Sequence, residues 1–336
     1  MNTSVKKSTL RDKIFTANDE NFNSLAVEVF QFQYECNEVY RQYCDTLKID
    51  AQKITSITQI PFLPIRFFKS HRIVTTEFEP ARIFESSGTS QTINSRHYVK
   101  DISLYEESFT NAFRLFYGDP ADWCILALLP SYLERSSSSL VMMAEKLVQQ
   151  SGHPQGGFYL NELKKLQATL LDLEKKQQKT LLLGVTFALL DFAEQFPTQL
   201  HYTTIMETGG MKGRREELVR EQVHEILCTS FQLKQVHSEY SMTELLSQAY
   251  SAGNGLFNCP PWMKILLRQE DDPLTIHITG SERAITGAVN IVDLANLYSC
   301  SFIAAEDAGT LYPNGSFEIL GRLDNTDIRG CSLLTL

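Results

Sequence analysis

Residues 181–195 read LLLGVTFALLDFAEQ, and this stretch decides the fold class. Its first five residues form an apolar run of strand length, whereas 189–195 has the spacing of a helix. The same succession occurs twice more along the chain, in the strand and helix pairs 123–129 with 138–150 and 203–206 with 214–227. Short apolar strands that alternate with helices are typical of a mostly parallel sheet with covering helices. The sequence therefore predicts an α/β fold.

The two flanks of this region have different patterns. Leu25, Val29, Phe32 and Cys36 recur at helical spacing, so we predict a mainly helical region over residues 1–80. Residues 81–336 are expected to form the α/β domain, continuous with the helical region as one structural unit. Its end should be an antiparallel β layer, because short alternating segments lie at 276–278, 288–292, 301–303 and 316–320, with the hairpin turn at 313–315.

Composition excludes several classes of function. The formal net charge is −9 and no long Lys/Arg cluster occurs, which disfavours a nucleic-acid surface. The longest apolar stretch, 181–190, falls short of the roughly 20 residues that a membrane span requires. The seven cysteines include no Cys-x-x-Cys pair, and the histidines are isolated, so neither a disulfide framework nor a zinc site is predicted. These features predict a cytoplasmic protein without a membrane span.

A hydroxyl-rich loop follows the short apolar segment at 82–84. It consists of Ser86, Ser87, Gly88, Thr89 and Ser90. Its backbone N–H groups and hydroxyls can surround phosphate oxygens, and the glycine lets the main chain approach closely. The loop lacks the Gly-Lys-Ser/Thr ending of a Walker A motif. An ordinary surface loop is the alternative interpretation, since loops commonly use these residue types.

A second segment combines three kinds of side chain within five residues. Tyr240 can stack on a base, Thr243 can donate to a phosphate, and Glu244 can hold Mg²⁺. The alternative is a helix N-terminal cap, because a helical stretch is predicted at 245–250. Two further candidates are Asp307, whose carboxylate can accept the hydroxyls of a ribose, and Arg322, which can donate to a sugar or phosphate oxygen. Both also lie in common turn sequences.

The order of these segments resembles that of the adenylate-forming acyl ligases. Within that superfamily the chain is similar to the acyl-protein synthetase family, the synthetase component of the luminescence fatty-acid reductase. The likeness covers most of the chain after residue 60 and includes the segments PSYLER at 130–135, GVTF at 184–187, ETGGMKGR at 207–214 and RGCSL at 329–333. It implies the large N-terminal-type domain of adenylate-forming enzymes, ending at a hinge-like segment without the C-terminal lid domain.

The resemblance also implies roles for individual residues. ATP or AMP would be bound by the loop from Ser86 to Ser90, by Gly209 and Gly210, and by Tyr240, Thr243, Asp307 and Arg322, with Glu244 as the Mg²⁺ ligand. Two positions depart from the superfamily pattern: the loop continues as Gln91-Thr92 without the usual glycine and lysine, and Ser241 replaces a glycine. Catalysis is expected to involve Thr243, Glu244 and Cys331.

Cys331 is the candidate acyl acceptor within the chain. Its neighbour Arg329 would favour the thiolate, which is the nucleophilic form of the side chain. A passive terminal thiol is the alternative. The resemblance thus implies ATP-dependent activation of a carboxylic acid, a fatty acid in this family, followed by a thioester on Cys331 and delivery to a reductase or carrier protein. Two other hypotheses stay open: a CoA-ligase-like enzyme whose lid comes from a partner chain, and a non-catalytic nucleotide- or acyl-binding module.

Overall fold

The computed structural model describes residues 10–86, 93–129, 137–160, 162–209, 218–269, 272, 274–277 and 283–323. The α-helices of this part of the chain include α1 Phe22–Cys36, α2 Glu38–Thr46, α3 Phe67–Ser70, α4 Ile102–Tyr117, α5 Ser139–Ser151, α6 Leu163–Lys175, α7 Thr186–Gln195 and α8 Arg220–Phe231. None of the described helices is both long and apolar enough to cross a membrane.

The strands follow in chain order. They are β1 Leu63–Pro64, β2 Arg82–Glu85, β3 Arg96–Val99, β4 Cys124–Leu128, β5 Gly157–Phe158, β6 Thr180–Val185, β7 Thr203–Thr208, β8 His237–Tyr240, β9 Ala249–Ser251, β10 Phe257–Asn258, β11 Met263–Arg268, β12 Ile276–His277, β13 Ile285–Asp293, β14 Phe302–Leu311 and β15 Phe317–Arg322. The α/β fold class and the predicted strands at 123–129, 181–185 and 203–206 are confirmed.

The contacts divide the chain into two compact units. Unit 1 consists of Met1–Ile83, Gly88–Asp101 and Cys259–Leu336, and unit 2 consists of Phe84–Ser87 and Ile102–Asn258. The predicted boundary between residues 80 and 81 separates a helical region from an α/β domain, whereas these units are defined by contacts. The predicted boundary therefore stays a prediction.

Unit 2 contains the parallel part of the fold. Its strands lie in the order β5-β4-β6-β7-β8-β9-β10, parallel from β5 to β8 and antiparallel from β8 to β10. Every residue of β4 and of β6 is buried, as expected for strands covered on both faces. Helix α5 begins where Ser138 accepts a hydrogen bond from the Val141 N–H at 3.4 Å, so the predicted start of this helix is confirmed.

The end of β6 packs closely against the start of α7. A Cβ atom added at Gly184 would lie 2.7 Å from Cγ and Cδ2 of Leu189. Position 184 therefore has no room for a side chain unless Leu189 moves, and the glycine lets α7 pack directly on the end of its own strand.

Unit 1 contains the predicted antiparallel layer. Its strands lie in the order β12-β11-β13-β14-β15, all antiparallel, and β1 pairs with β14 in parallel. The hairpin turn between β14 and β15 is confirmed, with Gly315 at φ +83° and the Tyr312 N–H donating to the Ser316 carbonyl at 2.9 Å. Helix α1 is also confirmed. The Gln33 amide holds it against the segment between β13 and β14 by donating a hydrogen bond to the Asn296 carbonyl at 3.0 Å.

Two predictions about helices are wrong or displaced. Residues 245–250 are not a helix but an irregular buried segment that leads into β9, and Tyr250 pairs with Glu239 of β8. Pairing with β8 uses the backbone groups that a helix would satisfy internally. Because the segment is buried on all sides, its sequence has no periodicity that distinguishes a helix from an extended segment. The helix-cap alternative for this segment is therefore wrong as well. Helix α8 begins at Arg220 instead of 214, and 214–217 lie outside the described residues.

Candidate functional site

The carboxyl ends of the parallel strands of unit 2 meet at one edge of the sheet. Strands β6, β7 and β8 end at Val185, Thr208 and Tyr240, and polar or flexible residues follow each of them directly. In open α/β sheets ligands bind beyond the carboxyl ends of the strands, where helix N-termini and loops converge. We call this region of unit 2 the carboxyl edge.

Three predicted site residues lie on or just beyond β8 at the carboxyl edge. The half-buried ring of Tyr240 packs against Phe257 at a centroid distance of 5.9 Å. Thr243 is half-buried, and Glu244 is buried with 6% of its surface exposed. The structure therefore keeps the aromatic ring, the hydroxyl and the carboxylate in one short segment after a strand.

Gly209 occupies the position directly after β7. It has φ +64°, a left-handed conformation that glycine adopts without strain, and no atom of the described residues lies within 4 Å of where its Cβ would be. Its carbonyl accepts a hydrogen bond from the Thr186 hydroxyl at 2.6 Å. Thr186 is the first residue of α7, so the ends of β6 and β7 are joined at this point.

Glu207 links the same threonine to α8. Its carboxylate lies 3.0 Å from the Thr186 hydroxyl, 2.9 Å from the Ser238 hydroxyl, and 3.7 Å from both the Arg220 guanidinium and the His224 ring. Burial alone would raise the pKa of Glu207, but hydrogen bonding from His224 and Ser238 and the charge of Arg220 lower it overall. Glu207 is therefore a stable buried anion.

Arg220 extends this network toward the predicted adenine-facing ring. Its guanidinium lies 5.1 Å from the centre of the Phe257 ring, which in turn packs on Tyr240. A continuous set of contacts thus runs from Gly209 through Thr186, Glu207 and Arg220 to the aromatic pair, and it fixes both positions relative to one another.

Glu239 occupies the opposite face of the same strands. It is 5% exposed, lies directly across from Thr208 of β7, and accepts a hydrogen bond from the Thr208 hydroxyl. Burial raises the pKa of Glu239, and the charge of Glu207 adds to this, whereas hydrogen bonds from Ser241 and Thr208 act in the opposite direction.

The two predicted ribose contacts lie together in unit 1. Asp307 on β14 is directly opposite Arg322 on β15, and the Arg322 Nε lies 4.0 Å from the Asp307 carboxylate. Asp307 is buried, whereas the Arg322 side chain is 77% exposed. The structure brings these two residues together, and their convergence with Tyr240 on one nucleotide stays a prediction.

Several predicted site residues lie outside the described residues. They are Ser87, Gly88, Thr89, Ser90, Gly210 and Cys331. Of the hydroxyl-rich loop, Ser86 is described, and it is half-buried just after β2, where the Glu85 N–H donates to the Ser137 carbonyl at 3.0 Å.

Sequence reasoning missed Thr186, Glu207 and Glu239 as functional candidates. The first two fall within GVTF and ETGGMKGR, the segments that carried the resemblance, yet no role was predicted for them. Their position at the end of a predicted strand could have indicated a role, because polar residues there lie at the edge of a parallel sheet where ligands bind.

Comparisons with known proteins show what the chain resembles as a whole. Residues 13–107 match the family described as acyl-protein synthetase, LuxE. A protein of Vibrio harveyi named long-chain-fatty-acid–luciferin-component ligase is 22% identical over 331 residues, which cover 90% of this chain and 84% of that protein.

Solved structures show the fold. A 2-hydroxyisobutyryl-CoA ligase in the postadenylation state, in complex with R3-HIB-AMP, superposes with a TM-score of 0.63 at 12% identity, covering 93% of this chain and 70% of that one. ATP-bound MatB from Rhodopseudomonas palustris gives a TM-score of 0.53 at 16% identity. This match covers 74% of this chain and 49% of the MatB chain, about half of its length. The chain is therefore a ligase with the fold of the adenylate-forming enzymes, and it is similar to the acyl-protein synthetase family.

Proposed function

We propose that this chain activates a carboxylic acid, a fatty acid by analogy with its relatives, through reaction with ATP to form acyl-AMP. The acyl group is then transferred to Cys331 and held as a thioester for an acceptor protein, a reductase or a carrier. One observation carries the adenylation step: Gly209, Tyr240, Thr243 and Glu244 lie at or just beyond the carboxyl ends of the adjacent strands β7 and β8 in unit 2.

The first step is a displacement at the α-phosphorus of ATP. A carboxylate oxygen of the acid attacks this phosphorus, a new O–P bond forms, and the bond to pyrophosphate breaks with its electron pair leaving on pyrophosphate. The chain contributes by positioning both reactants. Tyr240 would face the adenine and Thr243 would donate to the α-phosphate. Gly209 would allow the backbone to approach closely, because no described residue fills the space where its Cβ would be.

Glu244 is the proposed Mg²⁺ ligand. Magnesium that accompanies ATP is held by one or two carboxylates together with phosphate oxygens, so a single buried carboxylate at the carboxyl edge suits this role. Within the described residues, no group of three or more His, Cys, Asp and Glu could hold a metal without a substrate. When bound, the ion neutralises part of the charge on the phosphates.

Asp307 and Arg322 are proposed as the ribose contacts. A carboxylate accepts hydrogen bonds from the two ribose hydroxyls, and an adjacent arginine donates to a sugar or phosphate oxygen. Their placement on neighbouring strands supports a joint role, because the exposed guanidinium keeps its donors available beside the buried carboxylate.

In the second step the Cys331 thiolate attacks the acyl carbon of acyl-AMP. A C–S bond forms, the bond to AMP breaks, and AMP leaves with the electron pair. Support comes from five of the six other cysteines. Burial raises the pKa of Cys44 and Cys124 to about 12, and burial also raises the pKa of Cys228, Cys259 and Cys300. Those thiols are poor nucleophiles at neutral pH.

Intact mass spectrometry after incubation with Mg-ATP and a mixture of carboxylic acids tests both steps. We expect acid-dependent exchange of pyrophosphate into ATP and an acyl adduct on Cys331 that disappears in Cys331→Ser while exchange persists. An adduct on another residue would refute the thioester step alone. Acyl transfer to CoA by Cys331→Ser would indicate a CoA-ligase-like enzyme. Nucleotide binding without exchange for any acid would indicate a non-catalytic module.

The acceptor protein and the cytoplasmic location remain predictions. A pull-down with the acylated chain, compared with Cys331→Ser treated in the same way, would identify an acceptor that recognises the thioester.

A further inference from the structure

Unit 2 contains a group of buried oxygen atoms that have no hydrogen-bond partner among the described residues. They are Glu239 Oε1, Gln248 Oε1 and the Tyr250 hydroxyl. Their residues are 5%, 1% and 2% exposed. A buried polar atom without a partner is costly and uncommon, so three of them in one short region require an explanation.

The arrangement of Glu239 and Tyr250 places two of these atoms on the same face of the sheet. The two residues are directly opposite one another on β8 and β9, and residues paired in this way point to the same side. The face is covered by α4, since the Tyr250 ring lies 5.3 Å from Phe116 and 5.4 Å from Tyr117. The charge of Glu239 also acts on Tyr250, because burial and then this charge raise the pKa of the phenol.

This pair lies near the proposed reaction site along the strands, on the opposite face of the sheet from Glu207. Glu239 immediately precedes Tyr240, and its partner across the sheet, Thr208, immediately precedes Gly209. An acid held at the carboxyl edge for attack on ATP would reach this pair if its acyl part extended along the face of the sheet that α4 covers. A hydroxyl group has the hydrogen-bonding capacity to partner two of the three oxygens, because it can donate to the Glu239 carboxylate and accept from the Tyr250 phenol.

We propose that the acid activated by this chain carries a hydroxyl in its acyl part, which donates to Glu239 Oε1 and accepts from the Tyr250 hydroxyl. The inference rests on the proposed function and narrows its substrate class from fatty acids in general to hydroxylated ones. Burial raises the pKa of Glu239, and a hydrogen bond from the substrate would offset part of that effect.

A series of acids of equal length tests the inference, with one hydroxyl moved along the chain and the unsubstituted acid as reference. We expect one hydroxyl position to raise kcat/KM for pyrophosphate exchange roughly tenfold or more over the unsubstituted acid, because a hydrogen-bonding pocket discriminates strongly against a substrate that leaves it unpaired. Tyr250→Phe should reduce that ratio several-fold while leaving the melting temperature unchanged, since the hydroxyl it removes has no partner in the described protein.

Tyr40→Phe is the matched control. Tyr40 is equally buried, but its hydroxyl donates to the Pro61 carbonyl at 2.6 Å, so this variant should lower the melting temperature and leave the acid preference unchanged. Equal activity on hydroxylated and unsubstituted acids would overturn the inference. So would a lower melting temperature for Tyr250→Phe, which would point to a resident water as the partner. If no acid supports exchange at all, the proposed function itself fails, and this inference fails with it.

Discussion

Glu207 and Glu239 are buried carboxylates on adjacent strands, and their surroundings shift their pKa values in opposite directions. Glu207 is close to Arg220 and His224, whereas the partners described for Glu239 are hydroxyls. A nearby cation stabilises the charged form of a carboxylate more than neutral donors do. The two residues should therefore affect stability differently as the pH changes.

For Glu207 the folded-state pKa lies below the ordinary value of 4.5. A lowered pKa contributes stability that is present above pH 4.5 and is lost as the pH falls through the folded-state value. We expect Glu207→Gln to be less stable than the wild type at pH 7, with a difference that shrinks as the pH falls below 4.5. Urea unfolding at several pH values measures this. A constant difference across the range would contradict the assignment.

For Glu239 the sign is reversed. Its folded-state pKa lies above 4.5, so its favourable contribution is present below pH 4.5 and is lost as the pH rises through the raised value. Glu239→Gln should therefore gain stability relative to the wild type as the pH is raised from 4 to 8. The same unfolding series provides the measurement, and a relative loss with rising pH would show that the carboxylate is stabilised as an anion.

Glu244 is the residue on which nucleotide chemistry should depend most. Glu244→Gln keeps the shape of the side chain but removes the charge that would hold Mg²⁺, so pyrophosphate exchange should fall roughly a hundredfold. Glu174→Gln is a suitable control. Glu174 accepts hydrogen bonds from the His201 and Tyr202 N–H groups and from Thr203, at the opposite end of β7. That variant should lose stability with little change in exchange.

At the scale of elements, Thr186 joins the end of β7 to the start of α7. Thr186→Val keeps the branched shape but removes the hydroxyl that donates to Glu207 and to the Gly209 carbonyl. Loss of a hydrogen bond of this kind costs on the order of 1 kcal/mol, or about fivefold in an equilibrium. We expect KM for ATP to rise by roughly that factor. Thr186→Ser, which retains the hydroxyl, should restore the wild-type value, and equal KM values for both variants would exclude this positioning role.

Strand positions were predictable because β4 and β6 are mostly apolar runs and β7 begins with the branched residues of 203–205, and each adjoins a clear helical pattern. Residues 245–250 were not, because a segment buried on all sides has the same composition whether it coils or extends. Only pairing with β8, set by distant parts of the chain, decides between them. The type of most elements was therefore predictable from local sequence, and tertiary contacts decided the exception.

The site was partly predictable for a related reason. Tyr240, Thr243 and Glu244 are close in sequence and remain close in the structure, and Asp307 and Arg322 became neighbours through a hairpin whose turn the sequence predicted. Thr186 and Glu207 are 21 residues apart, and their contact follows from parallel pairing of β6 and β7. No spacing rule in a single sequence indicates such a contact.

At the scale of the whole molecule, nucleotide binding should stabilise the fold. A ligand present at about 100 times its Kd adds roughly 2.7 kcal/mol to the free energy of unfolding. We expect Mg-ATP, with no acid present, to raise the melting temperature of the wild type by several degrees and that of Glu244→Gln by much less. A scanning-fluorimetry titration measures both, and equal shifts for the two proteins would argue against Glu244 as the metal ligand.

Unit 1 is assembled from segments far apart along the chain. Leu63 pairs with Ile303, and Gln33 donates to the Asn296 and Leu297 carbonyls. During synthesis on the ribosome, the first eighty residues emerge long before these partners have been translated, whereas most of unit 2 is one continuous stretch that can fold as soon as it emerges. The apolar face of helix α1 is therefore exposed until its partners from the end of the chain have been synthesised. This exposure makes the nascent helix a target for chaperones.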